Sequence, residues 1–350
     1  MVDKISKQLL RLISKPQKIY TQKTIGPDTI SRLLLSAFPD RVARLREDGN
    51  GRFLLSQGRG VRLSTAGSLA RSPFIIALNM DAGEKAEGTV HVAAQLTEEM
   101  VRQESAHCIK TVRRVEWGRR EGRIVATIEE QLGAILLSAK PFNPSDREAA
   151  PILCDMIRST PGMIEFGREA RQFQGRVSLM KRAFPEEYWP DLTDGRLISS
   201  PETWLLHWLP GMRSARDISG LEVLPALKAQ LAWEKMRLLD TRAPTHMTVP
   251  SGSRVALDYS VGDAPVLAVK LQEMFGLADT PEIAGGRVKV LMHLLSPARR
   301  PVQITQDLKG FWNSGYPQVK KELKGRYPKH PWPDDPWNAL PTRKTKQQRR

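Results

Sequence analysis

Arg52-Phe53-Leu54-Leu55-Ser56-Gln57-Gly58-Arg59-Gly60-Val61-Arg62-Leu63 is where the chain changes period. Two β-rich runs flank Gly58-Arg59-Gly60, and apolar runs either side of such a turn predict a hairpin. Towards the N-terminus the spacing is helical instead. Ile5, Leu9, Leu12 and Ile13 fall on one face, as do Ile30, Leu33, Leu34 and Ala37, and Pro27-Asp28 supplies a helix start. Phe38-Pro39-Asp40 predicts a corner before another short helix. Beyond the hairpin, β-rich runs recur at 74–78, 90–96, 112–117, 124–128 and 134–137. Short strands at this spacing predict a small barrel or sandwich of the OB type.

From about 145 to 242 the pattern is helical again, divided by prolines 161, 185, 190, 201, 210 and 225. Leu224 to Leu239 predicts a helix with its leucines mostly on one face. Strands return at 247–249, 254–259 and 266–269, and Val288 to Leu294 alternates as one further strand after Gly285-Gly286.

The 350 residues carry 54 Lys+Arg against 38 Asp+Glu, a formal charge of +16. Such an excess points to a polyanionic partner. No run of ~18 uncharged apolar residues is present, so no membrane partner is expected. The start lacks the apolar core of a secretory signal. Two cysteines, Cys108 and Cys154, form no CxxC pair, which fits a reducing, cytoplasmic setting.

The phosphate-binding loop GxxxxGK[ST] requires a Gly-Lys pair, and the sequence has none. No HExxH and no GxSxG occurs, and the six histidines (91, 107, 207, 246, 293, 330) show no metal-ligand spacing. No catalytic, cofactor-binding or metal-binding residue is therefore assigned. Binding residues are another matter. Residues 311–350 hold ten Lys/Arg against Glu322, Asp334 and Asp335, interleaved with six aromatics. Cations for phosphates beside rings for bases suit a single strand of nucleic acid. The candidates here are Lys320, Lys321, Arg326, Tyr327, Lys329 and Trp332. The 111–123 hairpin adds Arg113, Arg114, Arg119 and Arg120 around Trp117. The plain alternatives are rings packed on the sheet and charges facing solvent.

A longer series of motifs makes the chain recognisable. Ala243-Pro244-Thr245-His246 leads to Val249-Pro250-Ser251-Gly252-Ser253. Lys270-Leu271-Gln272-Glu273-Met274-Phe275-Gly276-Leu277 and Thr280-Pro281 come next. His293-Leu294-Leu295-Ser296-Pro297-Ala298, Arg300-Pro301, Thr305-Gln306-Asp307-Leu308 and Phe311-Trp312 follow in order. Gly325-Arg326-Tyr327-Pro328-Lys329-His330 and Trp332-Pro333-Asp334-Asp335-Pro336 close the series. It resembles the C-terminal region of the bacterial HrpB-type ATP-dependent helicases, of the DEAH/RHA class. Ala37 to Ala43 and Leu54 to Gly60 are similar to the helicase-associated region that precedes it.

The resemblance implies an α+β architecture in five parts. These are a helical remnant over 1–50, an OB-like β module over 51–142, a helical linker domain over 143–242, a C-terminal α+β domain over 243–337 and a basic mobile tail over 338–350. It also implies an accessory helicase region that binds single-stranded RNA or DNA and braces the motor. The RecA-like domains with their Walker and DEAH motifs are not in this sequence. ATP and Mg are therefore expected only there, and this chain is expected to be inactive alone. Partners would be a single strand and the motor domains, in the same or a neighbouring chain. A basic adaptor that docks on protein without touching nucleic acid fits the same composition.

Overall fold

Proline in the first turn of a helix costs no hydrogen bond, and Pro27 opens α1 (Pro27–Ala37). The computed structural model describes residues 26–65, 67–81 and 87–345. The helical spacing from Ile5 to Ile13 lies outside them. After one 3-10 turn at Pro39–Arg41 the chain enters β1 (Val42–Leu45), where the sequence suggests a second short helix. Burial decides the difference. Val42 and Ala43 are fully inaccessible, and Ala43 lies between Leu55 and Ile75 of the two neighbouring strands.

The strand closes a barrel with β2 (Arg52–Leu55), β3 (Gly60–Leu63), β4 (Phe74–Met80) and β5 (Glu87–Leu96). The order is β1-β2-β3-β5-β4, returning to β1. β3 and β5 run parallel and the other pairs antiparallel. Inside pack Ala43, Phe53, Leu55, Val61, Ile75, Ala77 and Val90. A second apolar layer covers part of the outside. There Val42, Phe74 and Ile76 meet Leu35 of α1, Met100 and Val101 of α2 (Glu98–Glu104), and Ile135.

Ile135 belongs to a separate sheet of β6 (Ile109–Gly118), β7 (Arg123–Leu132) and β8 (Ile135–Pro141), in that order. These strands were expected in the same β module, but the barrel is complete without them. The β7–β8 turn meets the barrel at Gly133, with Ala134 N donating to Ser56 O at 2.7 Å.

The chain forms two units, Met1–Val115 with Val125–Asn143, and Glu116–Ile124 with Pro144–Arg350. In the second unit α3 (Asp146–Ser159) starts at a Ser145/Glu148 capping box, which satisfies two end groups reciprocally. Next come α4 (Arg168–Ala183), α5 (Asp194–Ser199) and α6 (Ala215–Ser219). The helix expected from Leu224 to Leu239 is two, α7 (Leu224–Lys228) and α8 (Trp233–Arg242).

A five-stranded sheet follows, of order β15-β14-β11-β10-β9. Its strands are β9 (His246–Thr248), β10 (Arg254–Asp258), β11 (Val266–Lys270), β14 (Leu291–Leu295) and β15 (Pro301–Thr305). The run from Val288 splits. β13 (Val288–Lys289) pairs with β12 (Glu282–Ile283), and only the part after the buried Val290 joins the large sheet.

The end of the chain runs through α9 (Leu308–Gly310), a π turn and α10 (Tyr316–Arg326). Gly276 N donates to Pro336 O at 3.0 Å, and further on Gln272 holds the segment at Thr342. Gln272 Nε2 donates to Thr342 O at 2.9 Å, and Thr342 N donates back to Gln272 O at 3.0 Å. His330 Nδ1 donates to Gln272 Oε1 at 2.6 Å. Residues 346–350 lie outside the described ones.

One glycine carries a sharp stability test. Gly175 lies inside α4, where alanine ordinarily gains ~1 kcal/mol in helix propensity. A Cβ there would sit 2.1 Å from Tyr259 O. Overpacking outweighs propensity, so Gly175→Ala is expected to destabilise by about 1–3 kcal/mol or more. Gly325, near the end of α10, has nothing within 4 Å of such a Cβ, and Gly325→Ala is expected to stabilise slightly. Thermal melts of the two variants should shift in opposite directions.

Candidate nucleic-acid interface

Period-2 alternation places Ala43, Phe53 and Val61 inside the barrel, so their neighbours along the strands must point out. On β1 to β3 those neighbours are Arg44, Arg52 and Arg62. The register brings them together, since Arg44 is opposite Leu54 and Arg52 is opposite Arg62. Arg62 in turn lies beside Thr89 of β5. Arg46, just past β1, donates its backbone N–H to Arg52 O at 2.9 Å.

Glu87, at the start of β5, is the acid of this face. Arg52 donates to it through Nε at 3.1 Å and also through Nη2, and Arg46 Nη1 reaches it at 3.4 Å. Asp48 takes a further bond from Arg52 at 2.9 Å. The Arg52 hydrogen bond holds the Glu87 carboxyl below the usual carboxylate range, with Arg46 and Arg62 adding to the field. Glycine makes room for the cluster. A Cβ on Gly60 would lie 2.7 Å from Arg46 Nη2. Arg44 and Arg62 are exposed and form no ion pair among the described residues. Four arginines, Arg44, Arg46, Arg52 and Arg62, thus share a face with Glu87 and Asp48, a surplus of positive charge on the barrel. Such a surface attracts phosphates and holds them in register.

The residues singled out from sequence are distributed differently. On the 109–132 hairpin, Arg113 lies 4.1 Å over the Phe142 ring, and Arg114 Nε is 3.3 Å from Glu129. Arg119 and Arg120 sit exposed at the turn, with no ion pair among the described residues. The end of the hairpin is anchored, with Ile124 N donating to Arg213 O at 2.7 Å and Ala215 N donating to Gly122 O at 3.0 Å.

On the C-terminal segment two candidates are committed elsewhere. Trp332 is buried, 9% exposed, and its Nε1 donates to Tyr327 O at 2.9 Å, so its face is not open to a base. Lys320 is ion-paired with Asp334 and only 16% exposed at its side chain. Phe311, Trp312 and Tyr316 pack with Phe275, ring centroids 5.1 to 6.5 Å apart, as a structural cluster. Tyr327 is half-buried, its ring edge-on to His330 at 6.2 Å. Lys321, Arg326 and Lys329 are exposed.

The barrel face escapes sequence inspection because its members stand at 44, 46, 52, 62 and 87, brought together only by strand pairing. Alternation around Phe53 and Val61 is the one signal that points to them, once the strands are paired.

Comparison with known proteins sets this geometry in a family. Residues 204–336 match the HrpB_C family, described as ATP-dependent helicase C-terminal. The matched stretch includes α8, which is joined to the sheet region by Ala284 N donating to Arg242 O at 2.8 Å. Over 320 residues, 91% of the chain, the sequence is 38% identical to ATP-dependent RNA helicase HrpB of Escherichia coli (strain K12), covering 39% of that protein. The crystal structure of the E. coli DExH-box NTPase HrpB aligns with 91% of this chain and 40% of its own, with TM-score 0.56 and 38% identity. The chain thus spans about two fifths of the length of the relatives it matches. Motif order, sequence identity and fold agree: over 91% of its length this chain is similar to HrpB, and over residues 204–336 to the HrpB-type helicase C-terminal family.

Proposed function

We propose that the chain is an accessory helicase region that binds single-stranded RNA or DNA on its barrel face and braces a motor domain. The observation that carries this reading is the gathering of Arg44, Arg46, Arg52 and Arg62 on the same outer face as Glu87, on strands β1 to β3 and the start of β5. The order β1-β2-β3-β5-β4 supports reading the barrel as OB-like, and OB barrels bind oligonucleotides on the face of their second and third strands. RNA is the favoured strand, because the curated relative is named an RNA helicase. The exposed cations Arg119, Arg120, Lys321, Arg326 and Lys329 are proposed as further phosphate contacts, each on its own surface. The protein-docking alternative retains one observation, since Tyr188 and Trp233 are 84% and 66% exposed.

The face contacts phosphates rather than base edges, so charge reversal should weaken binding for all sequences alike. Arg44→Glu with Arg62→Glu is the informative pair, because neither residue holds the barrel together by an ion pair. Fluorescence anisotropy with 12-nucleotide RNAs of different sequence should show a uniform loss. Unchanged affinity in the folded double variant would remove the barrel face from the interface.

Glu87→Gln tests the same face with the opposite sign. It releases Arg46 and Arg52 from their shared acid, and exposed pairs of this kind are worth about 0.2–1 kcal/mol. Binding should tighten by about two- to fivefold at low salt. Weaker binding with an intact thermal melt would count against the reading.

The chain alone is expected neither to bind ATP nor to hydrolyse it, because no phosphate nest followed by lysine is present in its sequence. RNA-stimulated phosphate release by the purified chain would contradict this.

A further inference from the structure

Alternation also gives the large sheet of the second unit an outer face, and its middle row is unusual. His246 of β9 pairs with Ala256 of β10. Leu257 pairs with Leu267, which sets Ala256 beside Ala268 of β11. Ala268 pairs with His293 of β14, and His293 with Ile304 of β15. The row therefore reads His246, Ala256, Ala268, His293, Ile304. Both alanines are exposed, and Ile304 is 52% exposed. Alanine is depleted from strands, where larger side chains pack better. Two side by side on inner strands leave a flat floor between two imidazoles, which are three strand spacings or ~14 Å apart.

This floor is one wall of a groove of about 800 Å³, whose other wall includes Arg168 and Gln172 of α4 and Leu224 and Lys228 of α7. One position along the same face, Arg254 and Lys270 stand in the next row. None of Arg168, Lys228, Arg254 and Lys270 forms an ion pair among the described residues. The acids beside them are Glu169 and Asp258. The Asp258 carboxylate is already committed, accepting from Gln172 Nε2 at 2.5 Å and from Ser260 N and Oγ at 2.9 and 2.6 Å. Arg168 and Lys228 balance Glu169 and Asp258 in the groove itself, and Arg254 and Lys270 add positive charge to the same sheet face beyond it, which leaves that face complementary to an anion. Its floor suits a flat ring, and histidine is among the side chains on which bases stack.

We propose that this sheet face is a second single-strand site, in which bases lie on the Ala256–Ala268 floor beside His246 and His293, Arg168 and Lys228 meet phosphates in the groove, and Arg254 meets the strand where it leaves along the face. The inference rests on the reading above that the chain binds nucleic acid, and it names a site on the other unit.

The test uses the full chain and a 12-nucleotide oligouridylate carrying 4-thiouridine. Photo-crosslinked peptides are mapped by mass spectrometry, and affinity is measured by anisotropy. Crosslinks are expected within 246–270 and at His293. Ala256→Glu with Ala268→Glu should abolish them and weaken binding about tenfold, with an unchanged thermal melt. His246→Ala with His293→Ala, which adds no bulk or charge, should weaken binding in the same direction. Arg44→Glu with Arg62→Glu should leave the groove crosslinks in place. Crosslinks confined to the barrel, with normal binding by both groove variants, would overturn this site and leave the barrel reading standing. No binding by the unaltered chain would overturn both. If sedimentation showed the groove variants losing self-association while binding the oligonucleotide normally, the face would belong to a second copy and the proposal would fail.

Discussion

A β-strand sends successive side chains to opposite faces, and closing a barrel turns that alternation into a fixed inside and outside. Everything inferred about the first unit depends on this constraint. Phe53 and Val61 have to be inside for the barrel to have a core, and once they are, Arg52 and Arg62 have to be outside and opposite each other. A one-residue slip of β2 against β3 would bury arginines and expose phenylalanine, so the packing energy of the core also fixes the charged face. Glu87 follows from the same logic. The parallel pairing of β3 with β5 brings it beside Gly60, where Arg46 and Arg52 converge on it.

The second unit applies the rule to an open sheet. Leu267, Met292 and Leu294 are buried on one face, while Ala268 and His293 lie on the other, more accessible one. Its C-terminal segment is fixed by a side chain rather than by a strand. The Gln272 amide, 5% exposed, bonds the chain at Thr342 and His330, and its carboxamide would otherwise be a buried polar group without partners. That accounts for Gln272 and His330 as elements of the fold, although in the sequence His330 stands beside Lys329 in a basic segment.

Much of this architecture was legible from residue order. The 52–63 hairpin, the helix from Pro27 and the strands at 254–258 and 266–270 follow from period and turn chemistry, both local properties. What was hidden depends on contacts distant in sequence. Val42 and Ala43 form a strand because Leu55 and Ile75 flank them, and nothing near residue 42 announces those partners. A list of charges likewise does not reveal commitment. Lys320 is taken by Asp334, fourteen positions on, and Trp332 turns inward to bond Tyr327. The arginine face is the converse case, since it is scattered along the chain and assembled by register.

Salt dependence tests the central claim most directly. If the barrel face neutralises three or more phosphates, the logarithm of the binding constant for single-stranded RNA falls against the logarithm of salt concentration. Each contact contributes roughly 0.7, so the slope should be about −2 or steeper. Measured with the unaltered chain from low to physiological salt, that slope is the predicted result. A slope near zero, or no binding at low salt, would contradict the account.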